Sequence, residues 1–467
     1  MLSFPLLSSL FRLFSRKHCQ SPPPSVQIPD HDKKCCYFNL ACDYSYGPES
    51  DRWLPTESPP VYTKDDPGNI DLGVLRTVEE TVDRLSPNLR ELSMQIHSHP
   101  ELMFIEKQAH DWLSEYMSRH GFKVTPHYLG LSTAWRAEYQ HGKGGIVIGI
   151  NSEMDALAGI GHACGHNLIA VSGVGVAIAV KTAMEIHNIS GKVILLGTPA
   201  EEGGGGKVIL LERGGYEDMD ACLMCHPSPG LPHSISVGTT IAMQQIDVEY
   251  FGHSAHAGAA PWEGTNALDA AFLAYSSISV LRQQMKPDCR IHGVVQGKEW
   301  SPNVIPDYAR MRWLVRAPTY AELVPLVERA KNCFNGAALA TSCTINLNSG
   351  RAYYELNQND VLAQEFADIV GSRYGMLSTT VSSSASTDFG NVSYALPSLH
   401  PAFAIPTEPR GGNHTPAFAK SAATLEAHNA TMTVTKGLAL IALRILSDHS
   451  FLSEVRLLLL CFEGKGG

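Results

Sequence analysis

Gly145-Ile-Val-Ile-Gly-Ile150, followed closely by Glu153-Met-Asp-Ala-Leu-Ala-Gly-Ile-Gly-His-Ala-Cys-Gly-His-Asn167, joins an apolar segment to a cluster of ligating side chains. The first segment is short, rich in β-branched residues and bounded by glycines, the pattern of a buried strand. The second packs two carboxylates, two histidines and a thiol into 15 residues, Glu153 to Asn167. A polar cluster is therefore expected at the carboxyl end of a strand and in the loop beyond it, where α/β sheets build their sites.

Working outward, a second apolar strand, Lys192-Val-Ile-Leu-Leu-Gly-Thr-Pro199, runs into Glu201 and Glu202. Two adjacent carboxylates at a strand end can divide the labour, one ligating a metal and the other serving as general base. A third strand-like stretch, Asp220 to Pro227, ends in His226, and His414 lies in Asn413-His-Thr-Pro416. Taken singly, a histidine before proline is usually a turn residue and a Glu pair a solvated face. Ligands from four separate segments, three of them strand ends, instead match the way metal sites are assembled. By chemistry alone, His162 competes with Cys164 and His166 for a ligand role. Gly203-Gly-Gly-Gly-Lys207 has a phosphate-loop look but not the Gly-x-x-x-x-Gly-Lys-Ser/Thr spacing, so it reads as a sharp turn beside the site.

Several longer phrases carry a resemblance: Asp155 to Asn167, Gly197-Thr-Pro-Ala-Glu-Glu202, Ala260 to Ala271, Arg282 to Pro287 and Ser386-Thr-Asp-Phe-Gly-Asn-Val392. The chain resembles the two-metal amidohydrolases and peptidases that include aminoacylase, carnosine dipeptidase and aminobenzoyl-glutamate hydrolase, and within them the Xaa-Arg, or β-alanyl-lysine, dipeptidase branch. The resemblance spans roughly residues 75 to 445. It implies two divalent cations per subunit, with Cys164 bridging and His166, Glu202, His226 and His414 completing the ligand set. Glu201 is then the general base, His256 stabilises the oxyanion from the partner subunit of a homodimer, and Asn303 helps bind substrate. His162 falls outside the family's ligand pattern. Ala158 departs from the family's more usual proline, which bears on loop shape only. Asp155, at the strand tip, is expected to orient a ligand without binding metal itself. Zinc suits the Cys and His donors, and manganese the mixed oxygen donors. The implied reaction is metal-dependent hydrolysis of a peptide or amide bond in a small substrate, foremost a dipeptide with a basic C-terminal residue. The alternative is an N-acyl amino acid amidohydrolase, or an amidase that tailors a small natural product. Retention of Glu201 disfavours a non-catalytic metal scaffold.

The 467 residues, 44% of them hydrophobic, suffice for two domains. Between Gln245 and Gly350 the pattern reads strand (Ile246 to Phe251), helix (Asn266 to Met285), strands (Ile291 to Gly297 and Tyr308 to Ala317), helix (Tyr320 to Thr341) and strand (Cys343 to Asn348). That β-α-β-β-α-β order is the ferredoxin-like unit. With His226 before it and His414 after it, it must be an insertion. The expected fold is α/β: a two-metal catalytic domain with a central sheet flanked by helices (75–240 and 350–447), and an inserted ferredoxin-like α+β dimerisation or lid domain (241–349). Residues 1–64 read as an extension and 448–467 as a C-terminal tail. Within the insert His253 reads as a solvent-exposed loop residue, while His97 and His99, upstream of the site strand, read as structural.

A formal net charge of −10, with no basic stripe interleaved with aromatics, argues against a nucleic-acid partner. Eleven cysteines without paired spacing point to a reducing, cytoplasmic setting. Met1 to Lys17, apolar, Ser-rich and without an acid, has the make-up of a mitochondrial presequence or a poor signal sequence, and reads equally as an untargeted flexible extension. No run is read as reaching the roughly 20 apolar residues needed to span a bilayer, so no membrane is expected.

Overall fold

A computed structural model describes residues 71–463. The extension, its presequence-like start and its proline-rich segments lie outside the described residues.

Six strands form the main sheet, in the order Lys123–Pro126, Trp135–His141, Gly191–Thr198, Val147–Glu153, Ala221–Leu223 and Ser398–Leu399. The last four run parallel to one another, and the first two add antiparallel on one edge. Along Gly191–Thr198, Val193 and Leu195 enter one core while Ile194 and Leu196 enter another, which is why that strand reads as a continuous apolar run. The larger core gathers the helices Leu72–Ser98, His166–Ile186, Asp360–Tyr374 and Leu425–Ser447 on one face; Gly206–Glu212 and Phe389–Ala395 pack on the other.

The helix His166–Ile186 starts at the site. Gly165, at φ +79, is its N-cap, and a Cβ there would stand 2.6 Å from Pro227 Cγ, so the turn that sends Cys164 and His166 toward one centre needs glycine. This helix and Leu425–Ser447 are long and apolar enough to meet the length and composition test for a membrane span. The expectation that no run approaches that length is therefore corrected. In both, 78% of the apolar window is buried inside the fold, so the apolarity serves the core.

A separate antiparallel sheet has the order Thr344–Tyr353, Ala242–Phe251, Tyr308–Ala317 and Arg290–Gln296. The helices Ala267–Leu281 and Tyr320–Thr341 pack against it around a core of its own. In Tyr308–Ala317 the residues Ala309, Met311, Trp313, Val315 and Ala317 are buried and alternate with Arg310, Arg312 and Arg316, so the sheet has one covered face. The β-α-β-β-α-β order is present, with two longer strands than expected. Ala242–Phe251 begins before Ile246, and Thr344–Tyr353 continues past Asn348 through a register shift between Ser349 and Ala352.

The stretch Asp220 to Pro227 is not one strand. Ala221–Leu223 belongs to the main sheet, whereas His226–Ser228 pairs with Ala402–Ala404 in a third, small sheet. Its neighbour breaks at the matching place, between Ser398–Leu399 and Ala402–Ala404. Pro401, in that gap, has no N–H to give to the ladder, although Met224 N and His226 N still donate to Leu399 O and Pro401 O across it. Residues read as a tail include the helix His449–Glu463, with Phe451, Leu452 and Val455 in the larger core.

Candidate active site

Four chain segments converge beyond the carboxyl ends of Val147–Glu153 and Gly191–Thr198. Cys164, His166 and His226 present ligand atoms within 4.8 Å of one another; so do Cys164, Glu202 and His414; and so do His166, Glu201 and Glu202. Cys164 is common to the first two groups, the placement a bridging ligand requires. Its Sγ is 3.4 Å from His226 Nε2, and His414 Nε2 is 3.5 Å from Glu202 Oε1.

The backbone explains how these side chains are aimed. The His226 ring places Nδ1 2.8 Å from the Pro227 carbonyl, which turns Nε2 to Cys164. Asn413 Nδ2 donates to Pro227 O at 3.2 Å, and His414 N donates to Ala163 O at 2.8 Å, so the His414 segment is tied to both other ligand loops. Asp155 accepts from His166 Nδ1 at 3.1 Å through one oxygen and from Glu202 N at 3.0 Å through the other. It thus holds the His166 ring and the Glu202 backbone together and is itself 1% exposed.

Across the ring from Asp155, His166 Nε2 faces Glu153 Oε2 at 3.4 Å, Glu202 Oε1 at 3.9 Å and Glu201 Oε2 at 4.0 Å. His166 Nε2, Glu153 Oε2 and Glu202 Oε1 are buried without a hydrogen-bond partner among the described residues, while Glu153 Oε1 is paired with Lys207. Buried polar atoms of that kind are costly unless a partner supplies the missing interaction. A cation coordinated by imidazole, carboxylate and thiolate supplies it, so the donor set fits divalent metal.

Glu201 is buried at the turn after Gly191–Thr198, and burial, then the charges of Glu153, Glu202 and Asp388, raise its proton affinity well above the ordinary carboxylate value. Three contacts hold the turn. Ala200 N, at φ +59, donates to Glu106 Oε1 at 2.9 Å; Tyr353 Oη donates to Glu201 O at 2.8 Å; and Asp155 holds Glu202 N. Gly206 lets the chain fold back on this turn, since a Cβ there would meet Pro199 O at 1.8 Å.

Several of these residues escaped the sequence reading. Lys207, the end of the glycine run, is fully buried with Nζ 2.6 Å from both Glu153 Oε1 and Asp388 Oδ1. Asp388 lies in the Ser386–Val392 phrase, which carried a resemblance but no assigned chemistry. Arg316, from the antiparallel sheet, donates to Ser386 Oγ at 3.0 Å, and burial lowers its pKa while the charge of Glu201 opposes that. Glu106 and Tyr353 had no local signal, because their partners are Ala200 and Glu201, far away in sequence.

His256 and Asn303 come together elsewhere. His256 bridges to Val304, and Ala257 N donates to Asn303 O. His256 Nδ1 accepts from Gly258 N at 3.2 Å and Ala259 N at 3.1 Å, which leaves Nε2 as the protonated nitrogen, a donor on an exposed loop. Among the described residues no hydrogen bond or ion pair links His256 to the Cys164 cluster. His253 is exposed. His97 is hydrogen-bonded to Ala419 O at 2.7 Å, and His162 is buried, its pKa lowered to about 3 by burial and then by the neighbouring His166 and His97.

Residues 149–433 match the model of peptidase family M20/M25/M40. The Xaa-Arg dipeptidase of Mus musculus is 40% identical over 400 residues, covering 82% of this chain and 91% of that protein. That of Homo sapiens is 38% identical over 397 residues, covering 81% and 90%. A solved structure described as a dinuclear metal binding peptidase of the M20 family from Bacillus subtilis superposes with a TM-score of 0.58 at 22% identity, covering 78% of this chain and 99% of the other, and shares the fold. The chain belongs to peptidase family M20/M25/M40, a family of metallopeptidases and amidohydrolases.

Proposed function

We propose that the chain hydrolyses the peptide bond of small dipeptides with a basic C-terminal residue, using two divalent cations held by Cys164, His166, Glu202, His226 and His414. The observation that carries this reading is the His166 imidazole, committed through Nδ1 to Asp155 and turned through Nε2 toward buried carboxylates. The 40% identity to an Xaa-Arg dipeptidase over most of both chains supports the substrate class. Zinc, by preference for thiolate and imidazole donors, would polarise the scissile carbonyl and acidify a water in this site.

The residues divide the remaining work. Glu201, with its raised proton affinity, takes the proton from water and passes it to the leaving amine. Asp155 keeps His166 and Glu202 in register. Arg316, half-buried, without an ion pair among the described residues and close enough to sense Glu201, is suited to the free carboxylate of a dipeptide. His256, with Nε2 as donor, would stabilise the oxyanion from the partner subunit of a homodimer, and Asn303 beside it would contact substrate. Exposed Phe272, Tyr275 and Val280 on the Ala267–Leu281 helix support a partner-binding face. Free Cys164 as a ligand suits a reducing compartment such as the cytoplasm.

Hydrolysis of β-alanyl-lysine, Xaa-Arg dipeptides and N-acyl amino acids by the zinc-loaded protein tests the substrate. Turnover concentrated on the basic dipeptides is expected. Turnover confined to N-acyl amino acids would replace this reading with an acyl-amino-acid hydrolase.

A further inference from the structure

Glu153 is assigned no part in the reaction by the resemblance or by any relative's description, yet of the three carboxylates facing His166 Nε2 it is the nearest. Its Oε2 is 3.4 Å from that nitrogen, against 3.9 Å for Glu202 and 4.0 Å for Glu201. Two ligands on one tetrahedral ion, each about 2.0–2.1 Å from it, stand about 3.4 Å apart. The Cys164–His226 and His414–Glu202 pairs show the same spacing, 3.4 and 3.5 Å. The contact lies at ion-pair distance but lacks hydrogen-bond geometry, and Glu153 and His166 are each 0% exposed.

The local geometry explains why Oε2 is free. Glu153 ends the Val147–Glu153 strand, and Asp155 follows two residues later, so the two carboxylates reach the two nitrogens of one ring. Glu153 Oε1 is engaged by Lys207 Nζ at 2.6 Å, and Lys207 is gripped in turn by Asp388 through both Nζ and its backbone N–H. The ammonium anchors one oxygen from behind and leaves the other pointing at His166. We propose that Glu153 is a further ligand of the cation that His166 carries, bound through Oε2, with Lys207 and Asp388 as its positioning residues. This rests on the two-metal reading above.

The test is metal binding by the full chain, stripped with chelator and titrated with Co²⁺ and then Zn²⁺. Wild type is compared with Glu153→Gln, which removes the charge, and Glu153→Asp, which keeps the charge for Lys207 but withdraws the carboxylate by one methylene. Wild type should bind two ions. Both variants should weaken one of the two steps by at least about tenfold and alter the visible absorption of the cobalt form. Should Glu153→Gln fail to fold, Glu153→Asp alone decides. Wild-type affinities in a folded variant, or weakened binding with an unchanged cobalt spectrum, would place Glu153 outside the coordination sphere and overturn the proposal while leaving the two-metal reading intact. A wild type that binds no ion would remove both.

Discussion

Asp155 and Glu106 show how single carboxylates shape this site by holding its backbone and side chains. Asp155 was legible as an orienting group because it follows a strand by two residues in a run of ligating side chains. Glu106 was not, since its partners Thr133 and Ala200 come from other parts of the chain. Burial first, opposed by the Thr133 hydrogen bond and reinforced by the charge of Asp155, lifts its pKa to about 7. A carboxyl group whose folded pKa lies above its unfolded value binds its proton more tightly when folded. Its contribution to stability is therefore complete below the unfolded pKa near 4.5 and is lost as pH rises toward 7. For a group 0% exposed the loss is on the order of 3 kcal/mol. Glu106→Gln mimics the neutral acid, so in urea denaturation wild type should lose stability relative to this variant between about pH 5 and 7. Parallel pH profiles would show that Glu106 does not titrate there. The candidate ligand cluster was readable because Cys, His and Glu at strand ends are chemically distinctive; Lys207 was not, because a lysine behind glycines looks the same in sequence whether it is solvated or sealed between Glu153 and Asp388.

Among the elements, those with one covered face were the most legible. Tyr308–Ala317 alternates buried and open residues along its whole length, and Tyr320–Thr341 carries its buried residues on a helical stripe, so both were bounded correctly from sequence. Elements ended by tertiary partners were harder. The continuation of Thr344–Tyr353 through a register shift depends on pairing with Ala242–Phe251, yet it is this continuation that brings Tyr353 Oη to the Glu201 carbonyl. The split between Ala221–Leu223 and His226–Ser228 depends on a neighbouring strand that breaks at Pro401, more than 170 residues away. That split turns His226 off the main sheet and toward Cys164. A proline in a strand-like run was the available signal.

At the scale of the molecule, the antiparallel module reaches the Glu201 turn through Tyr353 and the Ser386 segment through Arg316, while its His256 loop makes no bond to the Cys164 cluster of the same chain among the described residues. If His256 serves a partner's site, inactive His256→Ala and inactive Glu201→Gln proteins should regain activity when mixed, because one hybrid site pairs an intact base with an intact histidine. No recovery despite confirmed subunit exchange would make His256 a residue of its own chain's site or of none. The insertion was legible because the motif ligands His226 and His414 flank a complete β-α-β-β-α-β run; how its loops meet the catalytic turn depends on long-range contacts that no local pattern encodes. Hydrolysis by Glu201 beside a metal pair is decided by measuring turnover of an Xaa-Arg dipeptide together with bound metal per chain in wild type, metal-stripped protein and Glu201→Gln. Wild type should carry two ions, stripped protein should be inactive until zinc is restored, and Glu201→Gln should keep its metal while turnover falls by about 10²–10⁴-fold. Full turnover by the stripped protein, or by Glu201→Gln with its metal in place, would contradict it.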